Sequence, residues 1–172
     1  MNKLTEFKTM WSVYPSEYSV MDDAFSEENS PKTSKATREW ANSVFHNTCC
    51  VRLCYCLNHT ENHKISLKDV RSVGLESRDY ITGKNGKYIF NVPNVSSYIN
   101  KTYGSATHSW KWADDKSRDT FKEEIENKQG IIIFHERSSG LNGHVDLWEK
   151  GIVKTYDLFS SANSIEFWEV SN

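Results

Sequence analysis

Apolar positions in the last third of the chain follow the two-residue rhythm of strands, whereas those further upstream recur at three and four. The stretch GIIIFHE, with Ile131, Ile132 and Ile133 in a row, reads as a central strand because it is apolar on both faces. HVDLW then alternates, so His144, Asp146 and Trp148 share one face and Val145 and Leu147 the other. Glu149 to Gly151 turns the chain into IVKTYDLF, and SIEFWEV supplies a last strand. An antiparallel sheet is therefore expected at the C-terminal end.

The upstream part reads mainly as helices. FKTMWSVYPSEYSVMD, with Trp11, Tyr14 and Tyr18 around Pro15, predicts a short helix or an aromatic turn, and the acidic run DDAFSEENSPKT predicts a loop. In SKATREWANSVF, Ala36, Trp40, Ala41, Val44 and Phe45 have helical spacing behind a possible Ser34 cap. That helix leads into NTCCVRLCYCLN, a second helix capped by Asn47 or Thr48. SLKDVRSVG predicts a short helix closed by Gly74, RDYI and KYIF flank a TGKNGK turn as hairpin or edge strands, and Pro93 opens a helix that ends at Gly104. SATHSWKW has no clear period and reads as a packed loop. A surface helix is expected from Asp114, with Phe121 and Ile125 as its seam and Gly130 as its stop. The fold class is α+β: a helical N-terminal half packed on a C-terminal antiparallel sheet.

Length and charge narrow the function. A chain of 172 residues, 37% hydrophobic and 13% aromatic, fits a single domain over residues 1–172. With 21 Lys and Arg against 23 Asp and Glu, it lacks the basic field that nucleic acid demands. Met1 to Met10 is too polar for a signal-peptide core, and no run approaches the ~18 apolar residues of a membrane span. Synthesis in the cytoplasm is the expectation.

All four cysteines lie between Asn47 and Asn58. On a helix, Cys49, Cys50, Leu53, Cys54, Cys56 and Leu57 fall on one broad arc, with Val51, Arg52, Tyr55 and Asn58 on the other side. Cys50, Cys54 and Cys56 read as small apolar core residues. Cys49 differs: in the first helical turn, incompletely buried, it sits where the helix dipole and free N–H groups lower a thiol pKa. A zinc site would draw spaced ligand pairs from separate segments, and a disulfide would need a cysteine elsewhere; no metal or cofactor is expected. His59 and His63, four apart in polar sequence, read as surface loop, and Arg52 as a structural hydrogen-bonding residue.

A thiolate nucleophile needs an imidazole beside it. Of the six histidines, His144 is the best placed, opening a strand directly after Asn142-Gly143, in contrast to His46, His59, His63, His108 and His135. A third group should orient it. If Lys150 and Gly151 alone form the hairpin turn, Glu149 pairs with Ile152 and Asp157 lies across from His144 on the same face; a three-residue turn moves Asp157 away. Asp146 is the alternative, on the same strand at a Cα offset of about 6 to 7 Å. Asp157 is preferred. An oxyanion hole would include the Cys49 N–H.

In the blocks NTCCVRL, CLN, GIIIF, GHVDLW and YDLF the chain resembles the type VI secretion amidase effectors of the fourth family, which belong with the papain-like cell-wall hydrolases. The resemblance implies a papain-like fold, with the nucleophile at a helix N-terminus, and an enzyme injected by the type VI secretion machinery into the periplasm of another bacterium. It implies hydrolysis of the amide between D-glutamate and meso-diaminopimelate in peptidoglycan stem peptides, and a cognate immunity protein that plugs the cleft. Carried over, Cys49 is the nucleophile, His144 the base and Asp157 the third residue. Cys50 and Cys54 depart from the family pattern, which keeps Cys50 open as a competing nucleophile. Two other readings fit part of this pattern: a papain-like acyltransferase using the same dyad, and a non-enzymatic, metal-stabilised binding module built on the Cys cluster.

Overall fold

The computed structural model describes residues 3–15, 48–136 and 143–172. The loop expected at 22–33, the helix at 34–45 and the loop at 137–142 lie outside the described residues.

The first described helix, α1 (Phe7–Val13), buries Phe7 and Met10. Behind it stands α2 (Cys49–Asn58), in which every residue except Tyr55 is buried. The sequence suggested one buried arc. In the fold α2 packs against α1 on one side and against strands on the other, so Val51 and Arg52 are enclosed as well. Its last residue ties it down: Asn58 Nδ2 donates to the Lys87 carbonyl at 3.0 Å, and Asn58 Oδ1 accepts from the Ile65 N–H at 2.9 Å.

The next elements follow their local signals closely. Helix α3 (Leu67–Ser72) starts with a reciprocal cap, Ser66 accepting from the Asp69 N–H and Asp69 from the Ser66 N–H, and ends before Gly74 at φ 78°. A hairpin joins β1 (Tyr80–Thr82) to β2 (Lys87–Ile89), and α4 (Val92–Tyr103) carries Pro93 in its first turn behind an Asn91 cap. Two expectations change. SATHSWKW contains a strand, β3 (His108–Lys111), of which only Trp110 is buried. Helix α5 (Arg118–Ile125) begins later than Asp114, because Asp114 accepts from the Lys111 N–H at 2.7 Å and closes a turn, while Ser117 supplies the cap. Gly130 is no helix stop; it lies in β4, where a Cβ would come 2.0 Å from the Trp168 carbonyl oxygen.

Five strands form one antiparallel sheet in the order β3-β7-β4-β5-β6, from β4 (Gln129–His135), β5 (His144–Glu149), β6 (Ile152–Val153) and β7 (Ser164–Glu169). β4 is central, paired on both edges. Both sheet faces are covered: Ile131, Ile133, Val145, Leu147 and Trp168 join the helical core around α2, while Ile132, Phe134, Trp148 and Phe167 pack with Phe121 and Phe159 on the other side. The continuous apolar run of β4 follows from this double burial.

The two-residue turn is realised. Lys150 and Gly151 both have positive φ, 46° and 89°, as a type I′ hairpin requires, and Glu149 pairs with Ile152. At the other end of β5, Gly143 has φ 124°, and a Cβ there would lie 2.0 Å from the Phe134 carbonyl oxygen. That backbone geometry and approach set the entry of His144. Gly143→Ala is expected to cost more than about 2 kcal/mol, a drop of roughly 5 °C or more in the thermal midpoint followed by circular dichroism.

Candidate active site

Cys49 and His144 are brought together where the N-terminus of α2 meets the start of β5. Thr48 occupies the N-cap position, but its side chain bonds no first-turn N–H, so the positive helix end is left uncompensated by its own cap. His144 hydrogen-bonds the Cys49 sulfur, and the Val145 N–H also donates to it. Cys50 Sγ lies 3.9 Å from Cys49 Sγ. Both partners are shut away from water, Cys49 at 1% and His144 at 3% exposure, so the incomplete burial expected of a first-turn cysteine is not found.

These contacts separate the charges. Hydrogen bonding from Cys50, then from His144 with its positive charge, and the Val145 N–H hold the Cys49 thiol well below its ordinary range, against burial, which pushes the other way. The Cys50 thiol is pushed up by the same hydrogen bond and by burial. Burial also pulls on the imidazole, but hydrogen bonds to Asp146 and Cys49 and their negative charges outweigh it and raise His144 to about 9. The two shifts run in opposite directions, the one favouring a thiolate on Cys49 and the other an imidazolium on His144. Burial drives the Cys54 thiol up to about 12 and raises Cys56 as well; both are buried in the core, Cys54 with its sulfur accepting from the Ile89 N–H at 3.3 Å.

The imidazole is oriented by Asp146. His144 Nε2 lies 3.1 Å from Asp146 Oδ2, which leaves Nδ1 for the sulfur. The two side chains converge from adjacent same-face positions of one strand. Asp146 is 0% exposed and receives four further donors: the Leu147 N–H at 2.8 Å on Oδ1, and the Thr155 N–H at 2.9 Å, Thr155 Oγ1 at 2.5 Å and the Tyr156 N–H at 3.4 Å on Oδ2. Burial alone would raise its pKa, yet the hydrogen bonds from His144 and Thr155 bring it below the ordinary carboxylate value.

Asp157, the preferred third residue from sequence, is not brought to His144. The ladder continues one residue past β6, with the Lys154 N–H on the Leu147 carbonyl, and then the Asp146 carboxylate takes the N–H groups of Thr155 and Tyr156. The strand stops there. Asp157, half exposed, instead accepts from the Phe159 N–H at 2.8 Å and pairs with Lys122 at 3.5 Å. Thr155 was missed, although the register that joins Glu149 to Ile152 sets it across from Asp146.

The other described histidines have separate partners. His59 contacts the Tyr55 carbonyl and Asn85, and His108 pairs with Glu124. His63 is not a surface residue: it is 2% exposed, between Tyr103 Oη at 3.1 Å and Thr5, and burial lowers its pKa. His46 lies outside the described residues. His135 pairs with Glu166 at 2.8 Å beside a cavity of about 600 Å³ lined by Ser96, Asn100, Trp110 and Asn163. Glu166 pairs across the sheet with Ile133, and Ile133 with Val145, so Glu166 is two strands, about 10 Å, from the strand that meets Cys49. Among the described residues, no group of three or more His, Cys, Asp or Glu is placed to hold a metal ion, and no helix is long and apolar enough to cross a membrane.

Solved structures share this fold. The effector Tae4 from Salmonella typhimurium, in complex with the immunity Tai4 from Enterobacter cloacae, aligns over 98% of this chain and 99% of its own at TM-score 0.70 and 18% identity. The Tae4 of the Tae4-Tai4 complex from Enterobacter cloacae aligns over 99% of both chains at TM-score 0.65 and 22% identity, and Enterobacter cloacae Tae4 alone gives 0.68 and 20% over 98% and 99%. Comparison with curated proteins gives no match. Residues 45–168, which include Cys49 and all of the five-stranded sheet except Glu169, match the family model of Tae4, the type VI secretion system (T6SS) amidase effector protein 4. The chain belongs to that family of amidase effectors.

Proposed function

We propose that this amidase effector is a thiol hydrolase of bacterial cell wall, cutting the γ-D-glutamyl to meso-diaminopimelate amide of peptidoglycan stem peptides with Cys49 as nucleophile. The observation that carries this reading is the buried Cys49 sulfur hydrogen-bonded to His144, with the Asp146 carboxylate on the far imidazole nitrogen. It is the arrangement expected of a papain-like hydrolase.

In the reaction, Cys49 Sγ attacks the amide carbon, and the carbonyl oxygen gains the negative charge. The Cys49 N–H at the head of α2 is suited to meet that oxyanion. His144 gives its proton to the leaving diaminopimelate nitrogen as the C–N bond breaks, leaving a glutamyl thioester on Cys49. Neutral His144 then takes a proton from water, whose oxygen attacks the thioester. Release of the glutamyl carboxylate restores thiolate and imidazolium. Asp146 holds the ring and its charge through both steps, in the role the sequence had suggested for Asp157. Delivery by the type VI machinery to a target periplasm, and inhibition by a cognate immunity protein, follow from family membership as part of the same proposal.

Digestion of diaminopimelate-type peptidoglycan, with released fragments resolved by mass, tests the assignment. Wild type is expected to free glutamyl-ended and diaminopimelate-started fragments, and Cys49→Ala to free none. Cys50→Ala should still cut, more slowly, because it only removes a donor to the thiolate. Asp146→Asn should lower the rate by about 10²-fold or more, while Asp157→Asn stays within about twofold. Cutting by Cys49→Ala, or loss of cutting in Asp157→Asn but not in Asp146→Asn, would overturn these roles.

The pH profile follows from His144. Its folded pKa, about 9, lies above the unfolded value near 6.5, so the stability it contributes is fully present below ~6.5 and is lost as pH rises through about 9. The proton needed by the leaving amine disappears over that last step. Turnover is expected to hold through neutral pH and fall near pH 9; a fall centred near 6.5 would contradict the pairing.

A further inference from the structure

Arg52 is 5% exposed, and its burial is poorly repaid by hydrogen bonding. Its guanidinium lies over the Tyr14 ring at 5.2 Å and donates from Nη2 to Thr155 Oγ1 at 3.3 Å. Arg52 Nε and Tyr14 Oη are buried and find no hydrogen-bond partner among the described residues. A charge enclosed on these terms adds little to stability. What it does touch is the hydroxyl that holds Asp146.

Thr155 Oγ1 has one proton and two lone pairs. Asp146 Oδ2 can only accept, so the 2.5 Å contact uses the Thr155 proton. Arg52 can only donate, so it takes a lone pair of the same oxygen. His144 Nε2 stands 3.3 Å from Thr155 Oγ1 as well as 3.1 Å from Asp146 Oδ2, and its proton faces two acceptors. The direction of every bond is therefore fixed: Arg52 to Thr155, Thr155 to Asp146, and His144 to Asp146.

We infer that Thr155, held by Arg52, is a positioning residue that keeps the Asp146 carboxylate turned toward His144 Nε2 and so leaves Nδ1 for Cys49. This rests on the proposed thiol chemistry for its effect on turnover, but not for its effect on the protons. With the hydroxyl removed, Asp146 keeps its backbone donors and loses its shortest side-chain bond, so it can swing off the imidazole. His144 then releases its proton at lower pH and the Cys49 thiolate forms at higher pH. Among the described residues, the charged and titratable groups around His144 are Asp146 on its own strand, Cys49, Cys50 and Arg52 from α2, and Tyr14 and Tyr156 from the flanking segments. Only Thr155 joins Arg52 to Asp146 among these contacts.

Thr155→Val keeps the shape and removes the hydroxyl, Thr155→Ser keeps the hydroxyl, and Arg52→Met removes the donor behind it. Two titrations are read without substrate: thiolate absorbance of Cys49 near 240 nm, as the difference from Cys49→Ala, and the His144 ring proton by NMR. In Thr155→Val and Arg52→Met the His144 midpoint should fall from about 9 toward 6.5, the thiolate midpoint should rise, and kcat should drop about tenfold at unchanged KM. Thr155→Ser should titrate like wild type. A Thr155→Val protein with wild-type midpoints overturns the inference, even if it unfolds at lower temperature. Wild type that titrates as described but cuts no amide would defeat the proposed reaction and leave the positioning role standing.

Discussion

Cys49, His144 and Asp146 are packed together almost wholly out of solvent, and the neighbours of each favour its ionised form. A lone thiolate or carboxylate at such burial would take up a proton, and a lone imidazolium would lose one. The Asp146 carboxylate stays charged because His144 and four other donors surround it, the imidazole because anions lie at both of its nitrogens, and the thiolate because Cys50, His144 and the Val145 N–H face it. Removing any member leaves an uncompensated buried charge, so the three act as a unit.

The rest of the fold supplies this unit with fixed ends. Helix α2 is clamped at its far end by Asn58 to the β1–β2 hairpin and is buried along its length except at Tyr55, which fixes where its N-terminus lies. Strand β5 is second from the edge, paired with β4 over its full length but with β6 over only two residues. The unpaired part of its outer edge is where the backbone of Thr155 and Tyr156 turns to Asp146. One carboxylate thus ends a strand and orients an imidazole with the same oxygen.

Much of this fold is legible in the amino-acid sequence. The Ile131–Ile133 run marks the central strand, Glu149 to Gly151 mark a turn whose register stays open between two alternatives, and the cysteine cluster marks the helix, because each depends on local pattern or backbone preference. The third member of the site was less so. Register arithmetic carries a strand forward until something competes for its N–H groups, and here the competitor was the Asp146 side chain, so Asp157 was carried one step too far. His63 misled for a related reason: its polar neighbours describe a surface, but the turn after α2 folds back and buries it against Tyr103. The short β3 showed only one buried residue and therefore no period to read. Arg52 was recognised as a hydrogen-bonding residue, but its partner lies 103 positions away in sequence.

The central claim is that the sulfur of Cys49 carries the substrate's acyl group. It is tested most directly by acid-quenching wild-type enzyme during turnover of a purified stem peptide and measuring the mass of each cysteine-bearing fragment. A glutamyl-side thioester is expected on the peptide that contains Cys49, fragmented to that residue rather than Cys50, and none in Cys49→Ala. Steady turnover with no acylated cysteine, or with the acyl group on Cys50, would contradict it.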